Sequence, residues 1–141
     1  MIGEEAKFWQ QIRDGVGGRW EPQRLEDKYS VGIPDLMYTT NVHGFIELKA
    51  LPKGPPDSDK IFKIRHYTIE QRNWLRDHGK RAGFCFLFIR IGGNEYILLD
   101  WTVCHLVNTA SLTHIRENAT ARWVGQMDWV DFLKRISVYV G

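Results

Sequence analysis

Only two of the 141 residues are cysteine, Cys85 and Cys104, too few for a disulfide framework. Both lie in apolar stretches, and the compartment expected for such a chain is a reducing cytoplasm. No apolar run approaches the roughly 20 residues of a membrane span, so no membrane partner is expected. The opening MIGEEAKFWQ is acidic, unlike a secretory signal or a transit peptide. There is no internal repeat and no low-complexity tract. The five histidines have no metal-ligand spacing, and Cys104-His105 is not a zinc motif. Gly92-Gly93 is followed by no helix in register, so it reads as a hairpin turn and not as a phosphate loop.

What is present is ordinary globular material: 43% apolar and 26% charged residues in 16.5 kDa. One domain over residues 1–141 fits, and a chain of this length buries a core without staples. Residues 4–13 read as a first helix with Phe8, Trp9 and Ile12 at helical spacing, stopped by Gly15, Gly17 and Gly18. A short strand is expected over 20–25. A second spans 35–39, and a third over 45–51 forms its hairpin partner. Residues 52–60 are rich in breakers and read as a mobile loop. Thr68-Ile69-Glu70-Gln71 matches a capping box opening a second helix, with Gly79 as its stop. The unbroken apolar run 83–91 suits a strand covered on both faces, and 96–99 a further strand. Asp128 caps a last helix with Trp129, Val130, Phe132, Leu133 and Ile136 as its stripe. The order α-β-β-β-α-β-β-α predicts an α/β fold, a central mixed sheet flanked by helices. The stretch between Asp100 and Asp128 gives no clear pattern.

Charge is uneven. Residues 49–90 carry ten basic and four acidic side chains, while residues 1–48 carry five basic and eight acidic. The basic block suits a polyanion. A solvated helix face plus a loop would explain it equally well. Its position directly after an acidic segment suggests a metal site beside a phosphate track.

The informative segment is Gly32-Ile33-Pro34-Asp35, followed twelve residues after Asp35 by Glu47-Leu48-Lys49. Alternation along a strand puts Phe45, Glu47 and Lys49 on one face and Ile46 and Leu48 on the other. Glu47 and Lys49 are then about 7 Å apart along an exposed face. A hairpin brings the Asp35 carboxylate beside Glu47, and two such carboxylates repel unless a cation lies between them. Mg²⁺ accepts one or two carboxylates and keeps positions for water and phosphate. That is the arrangement for metal-assisted phosphodiester hydrolysis.

On Pro34-Asp35 and Glu47-Leu48-Lys49 the chain resembles the PD-(D/E)XK nuclease superfamily, whose fold is a restriction-endonuclease-like core. Within it, Glu5, Phe8-Trp9, Arg24-Leu25-Glu26, Gln71 and Trp74 are similar to the small Holliday-junction-resolvase-like and VRR-NUC-like nucleases, many of them phage-encoded. The resemblance covers about residues 4–106 and leaves 107–141 as a C-terminal extension of open role. It implies that Asp35, Glu47 and the Leu48 carbonyl bind Mg²⁺, with Mn²⁺ substituting. It implies that Lys49 orients water or offsets charge on phosphorus, that Glu5 completes the acidic site, and that Gln71 holds Lys49 or the DNA backbone. Ser30 is implied as a phosphate contact. A homodimer, acting on branched DNA in recombination or DNA processing, in the host cytoplasm where phage-encoded, is implied in the same way.

Lys53, Lys60, Lys63, Arg65 and Arg72 are the expected DNA contacts, with binding that weakens steeply with salt. No recognition helix or zinc finger is visible, so little sequence reading is expected. Several of these residues also have plainer explanations. Gln71 serves the capping box. Glu4 and Glu5 suit a helix N-terminus, and Glu4 competes with Glu5 for the site role. Glu26 fits either the site or an ion pair with Arg24. Trp9, Trp74 and Trp129 fall on apolar helix stripes and read as core. Segment 107–141 either completes the core or supplies a dimer face. The alternatives to a junction-selective enzyme are a general nicking endonuclease, a non-catalytic nucleic-acid-binding module and a structural protein.

Overall fold

A computed structural model describes residues 3–25 and 31–138. Four helices flank one six-stranded mixed sheet, an α/β architecture. Helix α1 (Gly3–Val16) leads to strand β1 (Glu21–Arg24), then β2 (Leu36–Thr39) and β3 (His43–Leu51). Helix α2 (Ile69–Ala82) precedes β4 (Cys85–Ile91) and β5 (Glu95–Asp100). Helix α3 (Leu112–Asn118), β6 (Ala121–Val124) and α4 (Trp129–Arg135) follow. The strands lie in chain order, β1 to β6, with every neighbouring pair antiparallel except β3–β4.

That parallel pair needs a crossover, and the segment 52–68 with α2 supplies it. The central strands are consequently covered on both faces. Ile46, Leu48, Ala50, Phe86 and Phe88 pack under α1 and α4, against Phe8, Trp9, Ile12 and Phe132. Cys85, Leu87, Ile89 and Ile91 pack under α2 and α3, against Phe62, Ile64, Leu75 and Ile115. Both cysteines are buried free thiols.

Several boundaries differ from expectation. Helix α1 continues past residue 13 to Val16 because Gly15 lies inside it, where a Cβ would run into the Trp129 indole. Arg19 closes the helix by donating to the Val16 and Gly15 carbonyls at 2.9 and 2.6 Å. Helix α2 likewise runs through Gly79, which lets Trp101 pack on it. The stop is Gly83, at φ 84°, whose N–H donates to the Gly79 carbonyl at 2.7 Å.

In α4, Asp128 caps as expected and Phe132 and Ile136 are buried, but Val130 faces outward at 51% exposure. Residues 107–138 are no appendage, since β6 extends the sheet through Ala121 and Trp123 and α3 and α4 finish one core each. Helix α3 and β6 are too short, at seven and four residues, to announce themselves by periodicity.

Candidate active site

The β2–β3 ladder ends at Leu36↔Ile46, so the second half of β3 continues where β2 has left it. Asp35 stands at this parting. Its carbonyl accepts from the Leu25 N–H at 2.8 Å, which holds it to the end of β1, and its Oδ2 accepts from the Leu48 N–H at 2.9 Å. The side chain thus takes over the pairing that the β2 backbone gives up. Gly32 makes the approach possible. At φ 86° it lies so close to α2 that a Cβ there would be 2.6 Å from the Glu70 carbonyl oxygen. The turn before Asp35 is thereby seated on the first turn of α2.

Alternation along β3 puts Glu47 and Lys49 on one face, as expected, and that face is the α2 side of the sheet. That face is not exposed, however. Glu47 and Lys49 are 2% and 3% exposed, because α2 and the segment 61–67 cover them. Lys49 Nζ lies 3.1 Å from Glu47 Oε2 and 3.9 Å from Glu5 Oε1, and it donates to the His66 carbonyl at 2.9 Å. Gln71 serves the expected capping box and also reaches into the cluster. Its Oε1 accepts from the Thr68 N–H at 3.0 Å to close the capping box, and its Nε2 donates to Glu47 Oε2 at 3.4 Å. Its partner in the site is therefore Glu47 and not Lys49.

Helix geometry sends Glu4 and Glu5 to different partners. Consecutive helical residues point about 100° apart. Glu4 turns to Arg90 at 3.2 Å, while Glu5 is buried beside Lys49. Arg90 also donates to Gln11 at 3.0 Å and lies over the Phe8 ring, so it is a clamp on α1 rather than a surface cation.

Burial, and the nearby Asp35 carboxylate next, push the Glu47 carboxyl up to about 8, against the opposing pull of Lys49. Glu47 Oε1 is enclosed and accepts no hydrogen bond, while Glu5 Oε1, also without an aligned hydrogen bond, faces the His66 ring and Lys49. A hard cation is the kind of partner that Glu47 Oε1 lacks. Among the described residues no three or more His, Cys, Asp or Glu side chains gather as a metal cage. The donors available to an ion here are the Asp35 and Glu47 carboxylates and backbone carbonyls.

Lys53, Lys60, Lys63 and Arg65 are exposed, and Arg72 is half-buried beside a cavity of about 190 Å³ lined also by Tyr67, Thr68 and Asn108. Lys63 and Arg65 alternate with the buried Phe62 and Ile64, so the extended segment offers one cationic edge. The loop expected to move is tied down at its end. The Thr113 N–H donates to the Ser58 carbonyl at 3.0 Å and Thr113 Oγ1 to Asp59 Oδ1 at 2.9 Å. Ser30 and Glu26 lie outside the described residues.

One site residue had no signal in the sequence. His66 supplies the carbonyl that takes Lys49, and its Nε2 lies 2.7 Å from Glu5 Oε1. No histidine spacing marks it, because both contacts come from elements distant in the chain.

No family model, curated protein or solved structure matches the chain. Fold and site together define an α/β protein with one mixed sheet, carrying a buried carboxylate–lysine cluster where two of its strands part.

Proposed function

We propose that this protein is a metal-dependent DNA endonuclease that hydrolyses phosphodiester bonds, selective for branched DNA such as a Holliday junction. Support comes above all from one observation: Asp35, Glu47 and Lys49, the three residues that resemble the PD-(D/E)XK pattern, meet where β2 and β3 part, with Glu47 Oε1 enclosed and unpartnered. Asp35, Glu47 and the Leu48 carbonyl would hold Mg²⁺ or Mn²⁺. When bound, the ion supplies Lewis-acid polarisation of a phosphoryl oxygen and a nucleophilic water at neutral pH.

The chain's own residues do the rest. Lys49, held by Glu47 and the His66 carbonyl, keeps a fixed positive charge where negative charge grows on the phosphoryl group. Gln71 fixes the Glu47 carboxylate from the α2 side. Glu5 completes the acidic surround of the ammonium. Lys53, Lys60, Lys63, Arg65 and Arg72 contact phosphates without reading bases. A homodimer would put two such sites on the two strands of a junction. Recombination or DNA processing in a cytoplasm, a phage host's among them, is the setting that fits.

The near-complete burial of Glu47 and Lys49 favours one rival, a structural ion pair inside a non-catalytic nucleic-acid-binding module. Cleavage of four-way junction, flap, nicked and duplex DNA, with Mg²⁺, Mn²⁺ or EDTA, separates the two. The enzyme cuts a branched substrate only with the ion, and D35N and K49M abolish cutting while the folded melting transition persists. DNA binding without cation-dependent cutting supports the rival, and cutting that survives both substitutions removes the site.

A further inference from the structure

The Lys49 ammonium has three donor hydrogens. Glu47 takes one side at 3.1 Å and the main-chain carbonyl of His66 accepts at 2.9 Å, while Glu5 stands at 3.9 Å. The imidazole of the same His66 reaches Glu5, Nε2 to Oε1 at 2.7 Å. One residue therefore touches both the ammonium and the helix carboxylate, using its backbone for the first and its ring for the second. The two atoms in that ring contact are enclosed from solvent, and neither makes an aligned hydrogen bond, to each other or elsewhere. The His66 side chain as a whole remains 39% exposed, so it forms the outer wall of the cluster.

His66 is itself rigidly held. Phe62 and Ile64 are buried on one side of it and Tyr67 on the other. Asn108 accepts from the Ile64 N–H at 2.7 Å and donates to the Tyr67 carbonyl at 3.0 Å, bracketing the residue between them. The Tyr67 hydroxyl donates to the Cys104 carbonyl at 3.1 Å. A segment anchored at both flanks delivers a carbonyl and a ring to fixed points.

We infer that His66 is a positioning residue of the active site: its ring sets the Glu5 carboxylate, and its carbonyl sets the Lys49 ammonium, so that α1 and β3 meet in one arrangement. The inference rests on the endonuclease reading for its kinetic consequence but not for its structural one. Removing the ring deletes the Glu5 contact and leaves the carbonyl in place. A side-chain amide in its stead returns a donor to Glu5.

The experiment has two arms. In the first, cleavage of junction DNA is followed for wild type, H66A, H66Q, E5Q and the H66A/E5Q double variant. For a partner that orients a site group, H66A is expected to lower kcat about 10- to 100-fold with KM for DNA little changed, and H66Q to recover part of that. Because His66 acts through Glu5, the double variant is no slower than the slower single variant. Full additivity of the two losses, or a loss confined to KM, overturns the inference. In the second arm, the ring signals of His66 and the ammonium signal of Lys49 are recorded by ¹H–¹⁵N NMR without metal or DNA. E5Q is expected to shift the His66 ring, and H66A to shift the Lys49 ammonium. Unmoved signals overturn the inference whatever the activity. If wild type cuts no DNA but these signals move, the positioning stands and the endonuclease reading falls. Should H66A not fold, E5Q with the second arm decides alone.

Discussion

Replacing Gly32 with alanine tests whether the approach of Asp35 to the site depends on a backbone contact. Gly32 sits at φ 86°, a conformation L side chains adopt at a cost of about 1–2 kcal/mol. Its Cβ would also stand 2.6 Å from the Glu70 oxygen and 2.7 Å from the Glu70 carbonyl carbon. Those are backbone atoms of the first turn of α2, and they yield only if the turn or the helix moves. An added methyl in a packed site that cannot yield costs about 1–3 kcal/mol.

Gly17 is the internal control, at φ 62° with open space around its would-be Cβ. G17A therefore carries the conformational cost alone, and G32A carries both, about 2–5 kcal/mol. For a domain of this size 1 kcal/mol corresponds to roughly 3 °C in Tm. Thermal melts of the two variants, with urea unfolding to confirm a two-state transition, should show G32A falling roughly 3–9 °C further than G17A. The same shift separates Asp35 from Glu47 and Gln71, so on the proposed endonuclease reading G32A also loses DNA cleavage at temperatures where it is folded. Equal melting temperatures for the two variants would refute the reasoning.

Three further outcomes are expected. Burial works to raise the Glu95 carboxyl, but hydrogen bonds from Arg116 and Arg122 outweigh it and hold the group below the ordinary carboxylate range. Its stabilisation is therefore fully present above the unfolded value of about 4.3 and is lost as pH falls through the lower folded value. A pH series of urea unfolding should show E95Q with a flatter acid limb than wild type. N108A removes the two hydrogen bonds that bracket His66 and leaves a left-handed residue at φ 72°, so it should cost about 2–4 kcal/mol by denaturant unfolding. N108G, which restores the backbone freedom, should recover about 1 kcal/mol of that. If the protein binds DNA as proposed, replacing Lys63 and Arg65 together with alanine should lower the slope of log binding against log salt by about 1.8 on duplex DNA, in a titration from low to physiological salt.

Local chemistry marked much of this protein. Thr68 and Gln71 are a capping box because a hydroxyl and an amide three residues apart satisfy each other's backbone donors, whatever surrounds them. The apolar run in β4 must be covered on both faces, and Gly32-Ile33-Pro34-Asp35 must turn before it extends. The alternation that puts Glu47 and Lys49 on one face of β3 is a property of any strand.

Other features needed the assembled chain. By composition Gly79 is the expected helix stop, and Gly83 stands four residues further on. Only the packing of Trp101 shows that the first is a seat for an indole, which leaves the second to end the helix. Glu4 and Glu5 are adjacent and chemically identical, and the position of Arg90 across the sheet separates them. Whether Glu47 and Lys49 face water or lie buried depends on what α2 and the segment around His66 lay over them. Strand periodicity specifies a face and not its cover. His66 left no trace in the pattern of residues because its two contacts, to β3 and to α1, exist only once elements distant along the chain have met.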